Sequence, residues 1–131
     1  MYLLPEDVFN FLYAKCVLNP QNKSLKLGYR TIRTAAIYPG TEFILEECCI
    51  GEESTAEYLL TPVREVTTEG TRTRLIFQDG TEEEVAENGN VLRPAGIVER
   101  LERAAAVSSL AELLHNEPGL IKYLSPKDYA S

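Results

Sequence analysis

Two helical patterns flank a long strand-like middle, and that order predicts the fold class. Apolar residues fall at positions 8, 9, 11, 12, 13, 16, 17 and 18, an arc too wide for a narrow seam and suited to a mostly buried helix. Pro5-Glu6-Asp7 opens it: proline tolerates the first helical position, and early carboxylates complement the helix dipole. Asn19-Pro20 closes it, predicting a helix over 5–18, and the polar run 21–28 predicts a loop. From Tyr29 the periodicity changes. The segment 29–38, rich in Thr, Ile, Ala and Tyr, predicts a strand ended by the turn residues Pro39-Gly40. A second strand is expected over 41–50 and a third over 56–68. In the third, Pro62 demands an edge position, a bulge or a break, because it has no N–H to donate. Strands over 71–77 and 81–87 follow, then the turn Asn88-Gly89-Asn90 and a short closing strand over 91–93.

The stretch 71–85, TRTRLIFQDGTEEEV, can be taken to the level of register. Asp79-Gly80 between two strand-forming runs is a strong hairpin signal. A two-residue loop would set Phe77 against Glu82 and Leu75 against Glu84, so two apolar side chains would share a face with carboxylates, which suits a half-buried sheet poorly. One more residue in the loop, with Gly80 left-handed as a bulge, sets Phe77 against Thr81, Leu75 against Glu83 and Thr73 against Val85. Arg72, Arg74 and Ile76 then share the other face with Glu82, Glu84 and Ala86. Arg74 falls opposite Glu84, with Arg72 diagonal to it. Opposite charges so placed contribute roughly 0.2–1 kcal/mol per pair, and the bulged register is the one predicted.

After Pro94 the pattern is helical again. Ile97, Val98, Leu101 and Ala105 share one face, and Glu99 with Arg103 is a favourable i,i+4 pair. Ser109 and Glu112 form a capping-box pattern, predicting a break near Ser108 and a short helix over 110–115 that Asn116-Glu117-Pro118-Gly119 ends. A further turn is expected to bring Leu120, Ile121 and Leu124 onto the core, with 127–131 fraying. Helix, run of strands, then helices is the order of an α+β fold with segregated layers. The expectation is a single domain over 1–131: a helix over 5–18, a small antiparallel sheet or partly open β-barrel of about five to six strands over 29–93, and a helical tail over 95–125.

Composition narrows this modestly. A chain of 131 residues, 44% hydrophobic, suffices for one core and is short for two domains, and a charged fraction of 25% argues against disorder. No apolar run reaches the ~18–20 residues of a membrane span, and the opening MYLLPEDVF lacks the basic start of a secretory signal. Three cysteines, Cys16, Cys48 and Cys49, are an odd and sparse set that points to a reducing, cytoplasmic compartment. Charge changes the picture more. Residues 1–40 carry five bases against two acids, residues 41–100 carry fourteen acids against five bases, and residues 101–131 are near balance. The acidic middle disfavours phosphate backbones, which need Lys and Arg. It suits a basic protein partner, or serves only to keep the domain dissolved.

The candidate chemistry is thin. Cys48-Cys49 follows Glu46-Glu47. Successive strand positions point to opposite faces, so the pair cannot jointly hold one ion; no Cys/His set completes a zinc site, and adjacent carboxylates disfavour a thiolate. His115, the single histidine, sits near a predicted helix C-terminus, where an imidazolium serves as a cap. Cys16 or Cys48 could serve as nucleophile to its base, but nothing in the sequence brings them together. Glu82, Glu83 and Glu84 alternate faces and have Arg72 and Arg74 nearby, whereas general acid catalysis needs a carboxyl made less acidic by burial or like charge. Leu110–Leu114, LAELL, has the spacing of a groove-docking motif and equally of a core helix face. The glycines are dispersed at turns and make no phosphate loop.

These features predict a non-enzymatic, cytoplasmic protein-interaction or regulatory domain, inhibitor- or immunity-like. Its expected site is an acidic sheet surface of Glu46, Glu47, Glu52, Glu53, Glu57, Glu82 and Glu84 that binds a basic partner protein. No catalytic residue, metal or cofactor is expected. One alternative is a small nucleic-acid-binding module on Lys23, Lys26, Tyr29, Arg30 and Arg33, where a ring could stack a base and cations hold phosphates. A second is a thiol-dependent enzyme or redox sensor using Cys48 or Cys49. A homodimer through an exposed strand edge is compatible with each.

Overall fold

The N-terminal helix runs Glu6–Leu18 (α1), with Glu6 and Asp7 in its first turn and the Phe9 N–H donating to the Pro5 carbonyl at 3.0 Å. The computed structural model describes residues 1–18, 31–37, 42–49, 56–70, 72–78, 80, 82–85 and 101–129, with backbone only at 16–18, 31–37, 48, 49, 68, 69, 72, 73, 83–85 and 129. The expected closing strand over 91–93 lies outside these residues. In chain order the strands are β1 (Tyr2–Leu3), β2 (Thr31–Ile37), β3 (Phe43–Cys49), β4 (Ala56–Glu69), β5 (Arg72–Phe77), β6 (Glu82–Val85) and β7 (Ala105–Ala106). Two helices, α2 (Leu110–Asn116) and α3 (Pro126–Tyr129), flank a 3-10 turn at Pro118–Tyr123.

The architecture is α+β, an open sheet with helices at both ends of the chain. Its strand order is β2-β3-β4-β1-β7, with β5 attached to β4 and β6 to β5. Of the two architectures expected, the small sheet describes the molecule, with one correction: it is mixed. Tyr2 and Leu3 pair parallel with Ala105 and Ala106, and antiparallel with Leu60 and Leu59. Strands of two residues carry no readable alternation, so the sequence pattern missed both β1 and β7. The expected helical face including Ala105 is corrected with them, since residues 101–103 are helical and Ala105 is already in the sheet.

β4 organises the sheet. At 14 residues it outlasts each neighbour. On one edge β3 pairs with it from Cys49↔Ala56 to Phe43↔Pro62. On the other edge β1 pairs at Leu59 and Leu60, and β5 takes over from Val63↔Phe77. Pro62 sits at that handover. Leu4 N–H donates to Tyr58 O at 2.9 Å and Gln78 N–H to Pro62 O at 3.4 Å, so the even positions face the β1/β5 edge. The N–H that proline lacks would point where β1 has ended and β5 has not begun. An irregularity between Val63 and Glu65 follows at once, which is the bulge or break that an interior proline demands.

The hairpin has the bulged register. Thr73 pairs with Val85, Arg74 with Glu84, Leu75 with Glu83 and Ile76 with Glu82. Gly80 has φ 89 and donates its N–H to Phe77 O at 3.0 Å. The expected partner of Phe77, Thr81, lies outside the described residues.

Alternation along the strands divides the core in two. Phe43, Leu45 and Leu60 face the helices and pack with Leu4, Val8, Phe9, Leu12, Val107, Leu113, Leu114 and Leu120. Phe9 is fully buried there, its ring 5.7 Å from that of Tyr13 and 5.0 Å from that of Tyr58. Burying a side chain of this kind contributes about 1.5–3 kcal/mol. On the opposite side of the sheet, Ile44 and Val63 pack with Leu75 and Phe77. The β5–β6 hairpin therefore turns its apolar side onto the sheet and its Arg74–Ile76 side outward.

The C-terminal segment is more tightly held than expected. Ser109 caps α2, accepting from Glu112 N–H at 3.1 Å, while the Glu112 carboxylate reaches back one residue further than a capping box requires, to Ser108 N–H and Oγ at 2.8 and 2.7 Å. Leu120 is buried and Leu124 packs beside it, but Ile121 is 38% exposed, which corrects its expected place in the core. Residues 127–129 form α3 instead of fraying. Asp128 binds the Lys15 ammonium of α1 at 3.0 Å and accepts from Ser125 N–H and Oγ at 2.8 and 2.9 Å.

Candidate functional site

The fold separates the described residues of the expected acidic surface from one another. Glu46 lies in mid-strand on β3, with Thr34 on one side and Leu59 on the other. It is 1% exposed, among the fully buried Ile44, Leu59 and Thr61. A buried carboxylate must be satisfied inside the fold, and Glu46 is engaged there. It therefore does not belong to a solvent-facing surface. Glu47 points to the other side of the sheet, half-buried and opposite Tyr58. Glu57 is exposed at the start of β4, opposite Cys48. Glu52 and Glu53 lie outside the described residues. Glu82 and Glu84 are on β6, some distance along the sheet from the others in strand order.

A different acidic group is assembled on the outer side of β4, β5 and β6. The register lines Glu65, Ile76 and Glu82 into one row across three strands. The next row is Thr67, Arg74 and Glu84, and beyond it Glu69 stands opposite Arg72. Glu65, Thr67 and Arg74 are exposed, and Ile76 and Glu82 are half-buried. Arg74 Nε lies 3.9 Å from Glu82 Oε2, the diagonal pairing, while the register places Glu84 directly across from it. Among the residues of this face whose side chains are described, Glu65 and Glu82 outnumber Arg74, and their carboxylates are acceptors suited to Lys and Arg side chains.

Glu65 is the site residue that strand patterning missed, although a signal existed. Glu69 pairs with Arg72, and Gly70, which follows Glu69, has φ 60, the left-handed conformation that a tight hairpin turn calls for. Counting back from that turn sets Glu65 opposite Ile76.

Other described carboxylates serve as ties between elements. Glu42 accepts from Lys122 Nζ at 2.8 Å and from the Tyr123 hydroxyl, joining β3 to the 3-10 turn. Glu117 accepts from the Tyr2 hydroxyl at 2.9 Å. Burial of the phenol, then the hydrogen bond and charge of Glu117, push the Tyr2 pKa up to about 12. The Ser108 hydroxyl and N–H hold the Glu112 carboxyl below its ordinary range. The Ser125 N–H and then Lys15 do the same for Asp128.

The remaining candidates are placed as follows. Leu113 and Leu114 of the LAELL segment are buried in the helix-side core, so that spacing is a core face. His115 is exposed in the last turn of α2. Cys48 and Cys49 are successive positions of β3, opposite Glu57 and Ala56. Lys23, Lys26, Tyr29 and Arg30 lie outside the described residues, and Arg33 is on β2, paired with Glu47. Among the described residues no three His, Cys, Asp or Glu side chains group as metal ligands, and no helix is long and apolar enough to cross a membrane. Comparison with models of known protein families, with curated proteins and with solved structures finds no match.

Proposed function

We propose that this chain is a cytoplasmic protein-interaction or regulatory domain, inhibitor- or immunity-like and without catalytic activity, that binds a basic partner protein through an acidic sheet surface. The observation that carries the proposal is the outward row of Glu65, Ile76 and Glu82 beside Arg74. Such a row offers an apolar contact within a charged rim, the usual composition of a protein interface. Glu84 and Glu69 extend its register, and Glu47, Glu52, Glu53 and Glu57 add to the negative charge of the same stretch of sequence. Glu46 takes no part, being buried.

Attraction of this kind steers association and weakens as salt screens it. The test is affinity capture from native lysate at low salt, with a salt step and a nuclease-treated lane, followed by affinity measurement on the recovered protein. The expected result is a basic protein that survives nuclease. Its affinity should fall about tenfold or more between 0.05 and 0.5 M salt, and the double variant Glu65→Lys, Glu82→Lys should remove most of that salt dependence. Salt-independent binding, or binding untouched by the double variant, would overturn the proposal. Recovery of nucleic acid would transfer it to Lys23, Lys26, Tyr29, Arg30 and Arg33. Light scattering of the purified chain reports whether a second copy is the partner.

A further inference from the structure

We draw no further inference here: the strongest candidate, the outer edge of β2, a seven-residue strand that pairs with β3 alone among the described residues, carries nothing because nothing in the structure shows what covers it.

Discussion

Glu46 and Glu57 occupy neighbouring strands eleven positions apart and look alike in sequence, both being glutamates in strand-forming runs. Their environments are opposite. Glu46 is 1% exposed in mid-strand, opposite the buried Leu59, and Glu57 is exposed. Reversing the charge at Glu46 would bury an ammonium in a site built around a carboxylate, a change of the kind that exceeds about 3 kcal/mol. Glu46→Lys is therefore expected to lower the urea midpoint severely, while Glu57→Lys stays within about 0.5 kcal/mol of the parent. Equal effects at the two positions would contradict the burial of Glu46. Tyr2 provides a second residue-scale prediction. Its pKa of about 12 exceeds the ordinary value of 10.0, so the folded state holds the phenolic proton more tightly than the unfolded state. The resulting stability is complete below pH 10 and declines as pH rises towards 12. Tyr2→Phe should be less stable at neutral pH and lose less between those limits. Denaturation midpoints measured across that range that fall in parallel would count against it.

At the scale of elements, local chemistry is well matched to local structure. The β5–β6 hairpin follows its predicted register because turn geometry and two-residue alternation agree, and both are contained within fifteen positions of sequence. Gly80 enables the bulge. A Cβ there would meet nothing within 4 Å, so the cost of Gly80→Ala is backbone strain at φ 89 alone, about 1 kcal/mol. Chemical denaturation should register that loss, and a neutral result would mean that the turn can adopt another geometry. The contact of α3 with α1 is tested by acid. Asp128 has a carboxyl held below its ordinary value of 3.8 by Ser125 and Lys15. Its contribution is whole above that value and is lost as pH falls through the lower folded-state value. Asp128→Asn should begin less stable at neutral pH and lose less on acidification below about pH 4. Acid unfolding curves of equal steepness would remove Asp128 from the list of acid-sensitive ties. Where expectation failed, the elements were short. β1 and β7 have two residues each, and α3 has four, so none contains a full period of its own pattern.

For the whole molecule, charge takes its meaning from how the strands are arranged. An acidic middle segment was visible in sequence, but charge in sequence is not a surface until the strands are arranged. The arrangement removes Glu46, sends Glu47 and Glu57 to different sides, and brings Glu65 into one row with Ile76 and Glu82. Charge reversal at Glu65 and Glu82 therefore acts on a single row of the sheet. The helices close the other side of the sheet, so partner contact through β3 and β4 on that face would require displacing the packed residues Phe9, Leu113 and Leu120.

By itself the sequence determined the α+β order, the span of α1 and the serine cap of α2. It also determined the bulged hairpin, with Leu75 and Phe77 turned inward. Each depends on residues within a few turns or one hairpin of each other, where backbone sterics, capping and alternation act directly. The tertiary structure alone decided the parallel insertion of β1 beside β7, the burial of Glu46, the handover at Pro62 and the tie from Tyr2 to Glu117, 115 positions away. Those outcomes depend on which distant surfaces exclude water from one another, and a local pattern of apolar and polar residues states only that a face is buried, without naming what covers it.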